Sequence, residues 1–261
     1  MSWTRACRTA VSLFTVLPAG AGETLAEGDA ARAVLWMPAV GLLLGVLGGA
    51  VVAGAGGLGA GDSGLRRLLG AALAIALVGL LTGGLHLDGL ADTADGLGSR
   101  RPAPVALDIM RRSDVGPMGV ATLVLVLLIQ VTALAAVPRA AAAGLALVLA
   151  AVTGRVAVVL ATGSDAARPG GFGALVAGRT TGRARAMTAV GLGCAIVAAG
   201  FGFGGPALAV RGLVAAAVGL TAGSAVRLTA VRRLGGVTGD VFGAVLEIAA
   251  AATLVTCALT A

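Results

Sequence analysis

The sequence predicts an all-α, polytopic transmembrane bundle of about seven spans (six to eight), with the N-terminus cytoplasmic. Three observations carry this. Hydrophobic residues make up 58% of the 261 residues and charged residues only 12%, where a soluble domain carries about 25% charged residues. Mean hydropathy is +1.00. Charge-free runs of about 20 residues, the length that crosses a hydrocarbon core roughly 30 Å thick, recur along the chain. The 43 glycines sit among Leu, Val and Ala, which excludes polar low-complexity disorder.

The first run covers 33–61, between Arg32 and Asp62, and the second 68–85, between Arg67 and His86. The third, 115–138, ends at Pro138 and Arg139. Runs at 140–154 and 156–164 join into a fourth span if Arg155 faces the protein interior. The fifth is 186–210, the sixth 212–226, and the seventh begins after Asp240 with Glu247 inside it. Tight connections at Arg139 and Arg211 leave the count between six and eight.

The arginines test this layout independently. All 19 basic residues are Arg. With the N-terminus inside, 14 lie on inner segments: Arg5, Arg8 and Arg32; Arg100, Arg101, Arg111 and Arg112; Arg168, Arg179, Arg183 and Arg185; Arg227, Arg232 and Arg233. Four lie outside (Arg66, Arg67, Arg139, Arg211), and Arg155 falls within a span. This is the positive-inside bias, and it puts the C-terminus outside. The chain reads as a single integral-membrane domain over 1–261. Residues 1–32 form a cytoplasmic or interfacial N-terminal segment, 86–114 a cytoplasmic acidic loop, and 164–185 and 227–242 further cytoplasmic loops.

Arg5, Arg8, the apolar run from Val11 to Leu17 and Ala19-Gly20-Ala21 also match a secretory signal with a small-residue cleavage site. Pro18 and the long gap before the next apolar run suit a short interfacial helix instead, and the expectation is that the segment is kept. Gly41, Gly45 and Gly49 repeat every four residues, as do Gly79 and Gly83. Bare positions at that spacing let helix backbones approach closely in lipid, and such faces leave room for a homo-oligomer. The net charge of +7 belongs to loop topology; without aromatics beside the arginines there is no stacking platform, so nucleic acid is not an expected partner. Cys7, Cys194 and Cys257 lie far apart without metal-ligand spacing.

Charge is informative where it is expensive. After the second run the chain reads GGLHLDGLADTADG over 83–96. Asp88, Asp92 and Asp95 are spaced i, i+4, i+7, so on a helix their carboxylates share one face. Leu87, Leu90 and Ala91 hold the segment at the membrane, where three like charges are poorly solvated and call for a cation. Mg²⁺ takes oxygen ligands and commonly uses one or two carboxylates plus substrate phosphates. The plainer alternative is a solvated helix end paired with Arg100, Arg101, Arg111 and Arg112. His86, the only histidine, reads as a general base, a metal ligand or a structural residue.

A second acidic stretch is GGVTGDVFG over 235–243, followed by Glu247. Asp240 and Glu247 share a face, and Glu247, about two turns into the last span, should face the bundle interior and need a partner. Asp240 falls on the same side as the Asp88 cluster, either as a site residue or as a helix cap. Two cytoplasmic stretches, 108–119 with Arg111, Arg112 and Ser113, and 168–173 with Arg168, set Arg beside turn-forming residues. That is the make-up of an anion clamp, and equally of positive-inside anchoring.

These motifs carry a family resemblance. GGLHLDGLADTADGL at 83–97, LFTVLP at 13–18, WMPAVGLLLG at 36–45, IMRRSDVGPMGV at 109–120 and GGVTGDVFGAVLEI at 235–248 occur in family order over nearly the whole chain. The chain thereby resembles the cobalamin synthases, or adenosylcobinamide-GDP ribazoletransferases. One departure stands out: the family usually places a Lys-Asp-Ser-Arg order after the methionine, and here it is Arg111-Arg112-Ser113-Asp114, with the charges exchanged across Ser113. The resemblance implies a Mg²⁺-dependent multi-pass enzyme of the cell (inner) membrane with its active site on the cytoplasmic side. It would join adenosylcobinamide-GDP to α-ribazole or α-ribazole 5′-phosphate and release GMP. On that basis Asp88, Asp92, Asp95 and Asp240 are the expected metal ligands, and His86, Asp92 and Asp240 the expected catalytic residues. Arg111, Arg112, Ser113, Arg168, Thr238 and Glu247 are the expected substrate-binding residues, and membrane lipid is the other expected partner.

Two other classes remain. CDP-alcohol phosphatidyltransferases also use Asp-Gly-rich metal motifs on a membrane helix, but with a longer spacing and further aspartates that this chain lacks. A transporter would use intramembrane acids such as Glu247, though its site would be expected near the bilayer midplane within internal repeats.

Overall fold

The computed structural model describes residues 3–20, 28–57 and 64–261. Among them every regular element is a helix, and seven helices are long and apolar enough to cross a membrane. Two short helices, α1 (Trp3–Phe14) and α2 (Asp29–Val34), precede the first span, α3 (Met37–Gly57). The second span is α4 (Gly64–Leu81). Then come α5 (Leu85–Gly98) and the short α6 (Ala103–Ile109), followed by spans α7 (Pro117–Ala136) and α8 (Ala140–Ala161). The short α9 (Gly171–Val176) leads to α10 (Gly182–Phe203), α11 (Gly205–Leu234) and α12 (Gly239–Thr260). Asp62, which bounds the first expected span, and Ala21, the last residue of the signal-like motif expected to be kept, lie outside the described residues.

Arg155 is inside α8 and 2% exposed, so the two runs at 140–164 are one span. The boundary between the fifth and sixth spans differs from the expected Arg211. α10 ends at Phe203, and the chain turns at Gly204 and Gly205 (φ 78°) ahead of Pro206, leaving Arg211 on α11. Charge marks proximity to water, whereas a left-handed glycine followed by proline stops a helix mechanically. The segment 86–114 carries α5 and α6, and most of 227–242 is helix, with only 235–238 linking α11 to α12.

α8 and α12 occupy the centre, while α4 and α10 lie at the periphery with apolar faces such as Leu69, Leu73, Met187 and Phe201 left outward. α3 packs on α8 through its glycine ladder. A Cβ on Gly41, Gly45 or Gly49 would meet the Ala151 carbonyl oxygen at 2.6 Å, the Val148 Cα at 2.7 Å or the Gly144 carbonyl oxygen at 3.1 Å. Contact that close lets dispersion and weak polar contacts add up where lipid removes the hydrophobic drive between helices. The second expected glycine pair does not form a ladder. Gly83 ends α4 in the left-handed region (φ 59°), with Gly84 N–H donating to the Gly79 carbonyl (2.9 Å) and Gly83 N–H to that of Leu80 (3.0 Å). This double closure of a helix C-terminus redirects the chain into α5.

Candidate active site

α5 lies against both α7 and α12 at one end of the bundle. Its approach to α12 is governed by two glycines. A Cβ on Gly89 would stand 2.7 Å from the Asp240 carbonyl oxygen, and one on Gly243 would stand 2.8 Å from that of His86. Backbone therefore packs on backbone, and the acids on either side of Gly89 are carried to Asp240. Asp88 is exposed, Asp92 and Asp240 are half-buried, and all three interact electrostatically. Partial burial, with Asp88, Asp240 and Asp95 nearby, pushes the Asp92 carboxyl up to about 7 from 3.8, against a lesser opposing pull from Arg168.

Arg168 reaches Asp240 because the loop before α9 is tied to the start of α12. Ala167 N–H donates to the Val237 carbonyl (3.0 Å) and Val237 N–H to that of Asp165 (2.9 Å). Gly173 packs directly on the backbone of Thr238 and Gly239. The guanidinium so placed donates through Nη1 to the Leu107 carbonyl (3.2 Å) and through Nη2 to Asp240 Oδ2 (3.4 Å). The cap of α12 is Thr238, whose Oγ1 accepts from Val241 N–H (3.2 Å) and donates to Asp240 Oδ2 (3.1 Å). Asp240 is thus freed from capping. Thr238, 2% exposed, holds Asp240 in place and does not present itself to a ligand.

Asp95 differs from its helix mates. It is buried, and its Oδ2 and Oδ1 accept the backbone N–H groups of Gly116 (2.7 Å) and Gly119 (2.8 Å). These are donors at the start of α7 that its own helix cannot satisfy. The carboxylate is engaged in tethering α7, and through Gly116 the loop bearing Arg111, Arg112 and Ser113, so the expected metal-ligand role does not match its placement. Those three residues are exposed, and among the described residues Arg111 pairs with Asp108, at 3.9 Å.

His86 is 5% exposed and faces the bundle. Burial, reinforced by Arg155, lowers its pKa to about 3, so it is neutral at physiological pH and a weak base. That placement suits the structural reading of His86 better than the proton-acceptor one. Glu247 lies about two turns from Asp240 along α12 and is not brought to the acid cluster. It accepts from Gln130 Nε2 (2.8 Å) and interacts electrostatically with Arg155. Arg155 donates to the Ala151 carbonyl (3.1 Å); among the described residues its Nε finds no acceptor. The intramembrane partner expected for Glu247 exists, but substrate binding by Glu247 does not match this position.

Among the described residues no three Asp, Glu, His or Cys side chains already stand in a metal cage. Asp88, Asp92 and Asp240 nevertheless suit Mg²⁺. They are hard oxygen donors, and among the described residues Arg168 is the cation shown beside them. Mg²⁺ completes its coordination with water and substrate oxygens. Beside Asp88 a cavity of about 570 Å³ opens between the end of α1, the α4–α5 elbow and α7.

Comparison with known proteins matches residues 6–258 to the model of a family described as cobalamin-5-phosphate synthase. A protein of Frankia casuarinae named adenosylcobinamide-GDP ribazoletransferase is 42% identical, covering 97% of this chain and 94% of its own length. Proteins of the same name from Bradyrhizobium diazoefficiens (39% identical, covering 91% and 86%) and Pseudomonas aeruginosa (38%, covering 98% of each) are similar over almost as much or more. No solved structure matches. With the match running nearly end to end and the acidic motifs on α5 and α12 meeting in space, the chain belongs to the cobalamin-5-phosphate synthase family.

Proposed function

We propose that this protein joins adenosylcobinamide-GDP to α-ribazole or α-ribazole 5′-phosphate, yielding adenosylcobalamin or its 5′-phosphate and GMP. The ribazole hydroxyl oxygen attacks the phosphorus that carries the cobinamide, the bond from that phosphorus to the GMP oxygen breaks, and the hydroxyl proton passes to a base. The observation that carries this reading is the convergence of Asp88, Asp92 and Asp240 in a chain whose relatives bear that transferase name. Asp88, Asp92 and Asp240 would hold Mg²⁺, which when bound supplies charge neutralisation at the diphosphate. Arg168 adds a second cationic contact on the Asp240 side, where a phosphate oxygen replaces part of its contact with Asp240. A carboxylate not engaged with the metal takes the hydroxyl proton. Little covalent chemistry is asked of the side chains, and rate comes from position and charge.

The site faces the cytoplasm of the inner membrane in this proposal, because the arginine-rich segments share its side of the bundle. No observation favours the CDP-alcohol or transporter readings. The test is purified protein with adenosylcobinamide-GDP and α-ribazole, with and without Mg²⁺, following GMP. Metal-dependent GMP release equal to cobalamin formed is the expected result; CMP from a CDP-lipid, or substrate-driven proton flux without GMP, would reverse it.

A further inference from the structure

The cavity beside Asp88 has a chemistry of its own. Leu13, Val16, Leu87 and Leu123 supply apolar walls, Gly83 lines the elbow, and Asp88 is the charged group among the described lining residues. Its volume of about 570 Å³ lies within the roughly 300–1,000 Å³ typical of small-ligand pockets.

It is also poor in free hydrogen-bond donors. The Val16 N–H is bonded to the Leu81 carbonyl (2.8 Å), those of Gly83 and Gly84 to α4, and that of Leu85 to the Thr82 carbonyl (3.2 Å). The lining hydroxyls are engaged too: Thr15 donates to the Val11 carbonyl (2.6 Å) and Thr82 to those of Gly79 (3.0 Å) and Val78 (3.1 Å). Away from Asp88 and the cation it would share, a phosphate in this cavity would find few donors, at a desolvation cost. An apolar body with a hydroxyl edge would meet walls it fits and a carboxylate ready to accept. The donor suited to phosphate, Arg168 beside Asp240, is not among the residues that line the cavity.

We infer that this cavity seats the acceptor nucleoside: the apolar benzimidazole base lies between α1, the elbow and α7, the ribose hydroxyls point toward Asp88, and any 5′-phosphate stays outside. The inference rests on the ribazoletransferase reading and deepens it by separating the two substrates. The acceptor enters on the Asp88 side of the acid cluster and the GDP-activated donor on the Arg168 side. Asp88, shared by the cavity and the cluster, is where they meet.

Two experiments test it. Filling the cavity with Leu123→Trp or Leu13→Trp should raise KM for α-ribazole by about tenfold, the effect of losing roughly 1.4 kcal/mol of binding. KM for adenosylcobinamide-GDP should stay within about twofold. An unchanged ribazole KM in both variants, or a rise in the donor KM instead, overturns the assignment. The second needs no turnover and only a small change at an exposed rim residue. In protein carrying Val16→Cys with Cys7→Ser, Cys194→Ser and Cys257→Ser, α-ribazole should slow maleimide labelling at position 16 while GDP does not. Protection by GDP alone, or by neither compound, overturns it. Absence of GMP release by the unaltered protein would instead defeat the ribazoletransferase reading, while the labelling result still decides whether the nucleoside sits here.

Discussion

Gly89 of α5 lies flat on the backbone of Asp240 of α12, so near that a methyl group would stand 2.7 Å from the Asp240 carbonyl oxygen. That contact sets the distance between two acidic motifs some 150 residues apart in the chain, because helices α5 and α12 have no room to slide without it. Gly89→Ala forces the helices apart; the expected cost is about 1–3 kcal/mol of stability and roughly a hundredfold in turnover from misplaced carboxylates. Thermal unfolding and GMP release measure the two effects, and near-normal turnover in a correctly inserted variant counts against the convergent site.

Asp92→Asn keeps the size of the side chain and removes its charge. Turnover should fall by about a thousandfold or more, the scale of losing a group that stabilises transition-state charge, with membrane insertion unchanged. Near-normal activity would falsify a role for Asp92 in metal binding or proton transfer.

The raised pKa of Asp92 has a consequence for pH. The folded protein holds this proton up to about pH 7, while the unfolded chain releases it near 3.8. Between those values folding takes up a proton, so the metal-free protein loses stability as pH rises through that window. On the proposed role of Asp92, Mg²⁺ would displace the same proton. The rise in Tm caused by Mg²⁺ should therefore be larger at pH 8 than at pH 6, and Asp92→Asn should remove the difference. His86, neutral above about pH 3, should add no titration near 6.5 to the rate profile.

Asp95→Asn tests the tether to α7. An amide oxygen can accept one of the two glycine N–H groups, but its NH₂ opposes the other. Leaving one buried donor unpaired costs about 1–3 kcal/mol. Lower Tm with a raised substrate KM is the expected pattern, since the loop carrying Arg111 and Arg112 loses its anchor at Gly116. A metal-ligand role would instead show as a changed Mg²⁺ requirement with Tm intact.

Inside the bundle, Arg155→Met leaves Glu247 without its cationic neighbour, and Glu247→Gln leaves Arg155 alone. Each single change should destabilise by about 1–3 kcal/mol, and the double variant should recover part of the loss, as two electrostatically coupled buried groups do. Unfolding of all three in one detergent provides the comparison; additive losses would mean that the two residues are uncoupled.

Membrane class and span count were legible from the chain alone, because hydropathy must match bilayer thickness whatever the packing. So was the packing face of α3, since a glycine every fourth residue has few other uses in lipid; that α8 covers it came from the bundle. The i, i+4, i+7 aspartates marked a candidate site for a related reason: like charges gathered at the membrane call for a partner. Their division of labour was hidden. Periodicity makes Asp88, Asp92 and Asp95 equivalent, and only their neighbours distinguish them: Asp240 across the Gly89 contact, and the Gly116 and Gly119 N–H groups around Asp95. His86 read as a base, a metal ligand or a structural residue; its burial beside Arg155, invisible in the sequence, favours the structural role. Local rules read helix, span and charge cost from a few neighbouring residues. Which carboxylate stays open to a ligand depends on contacts between helices distant in sequence, and those are settled only when the bundle closes.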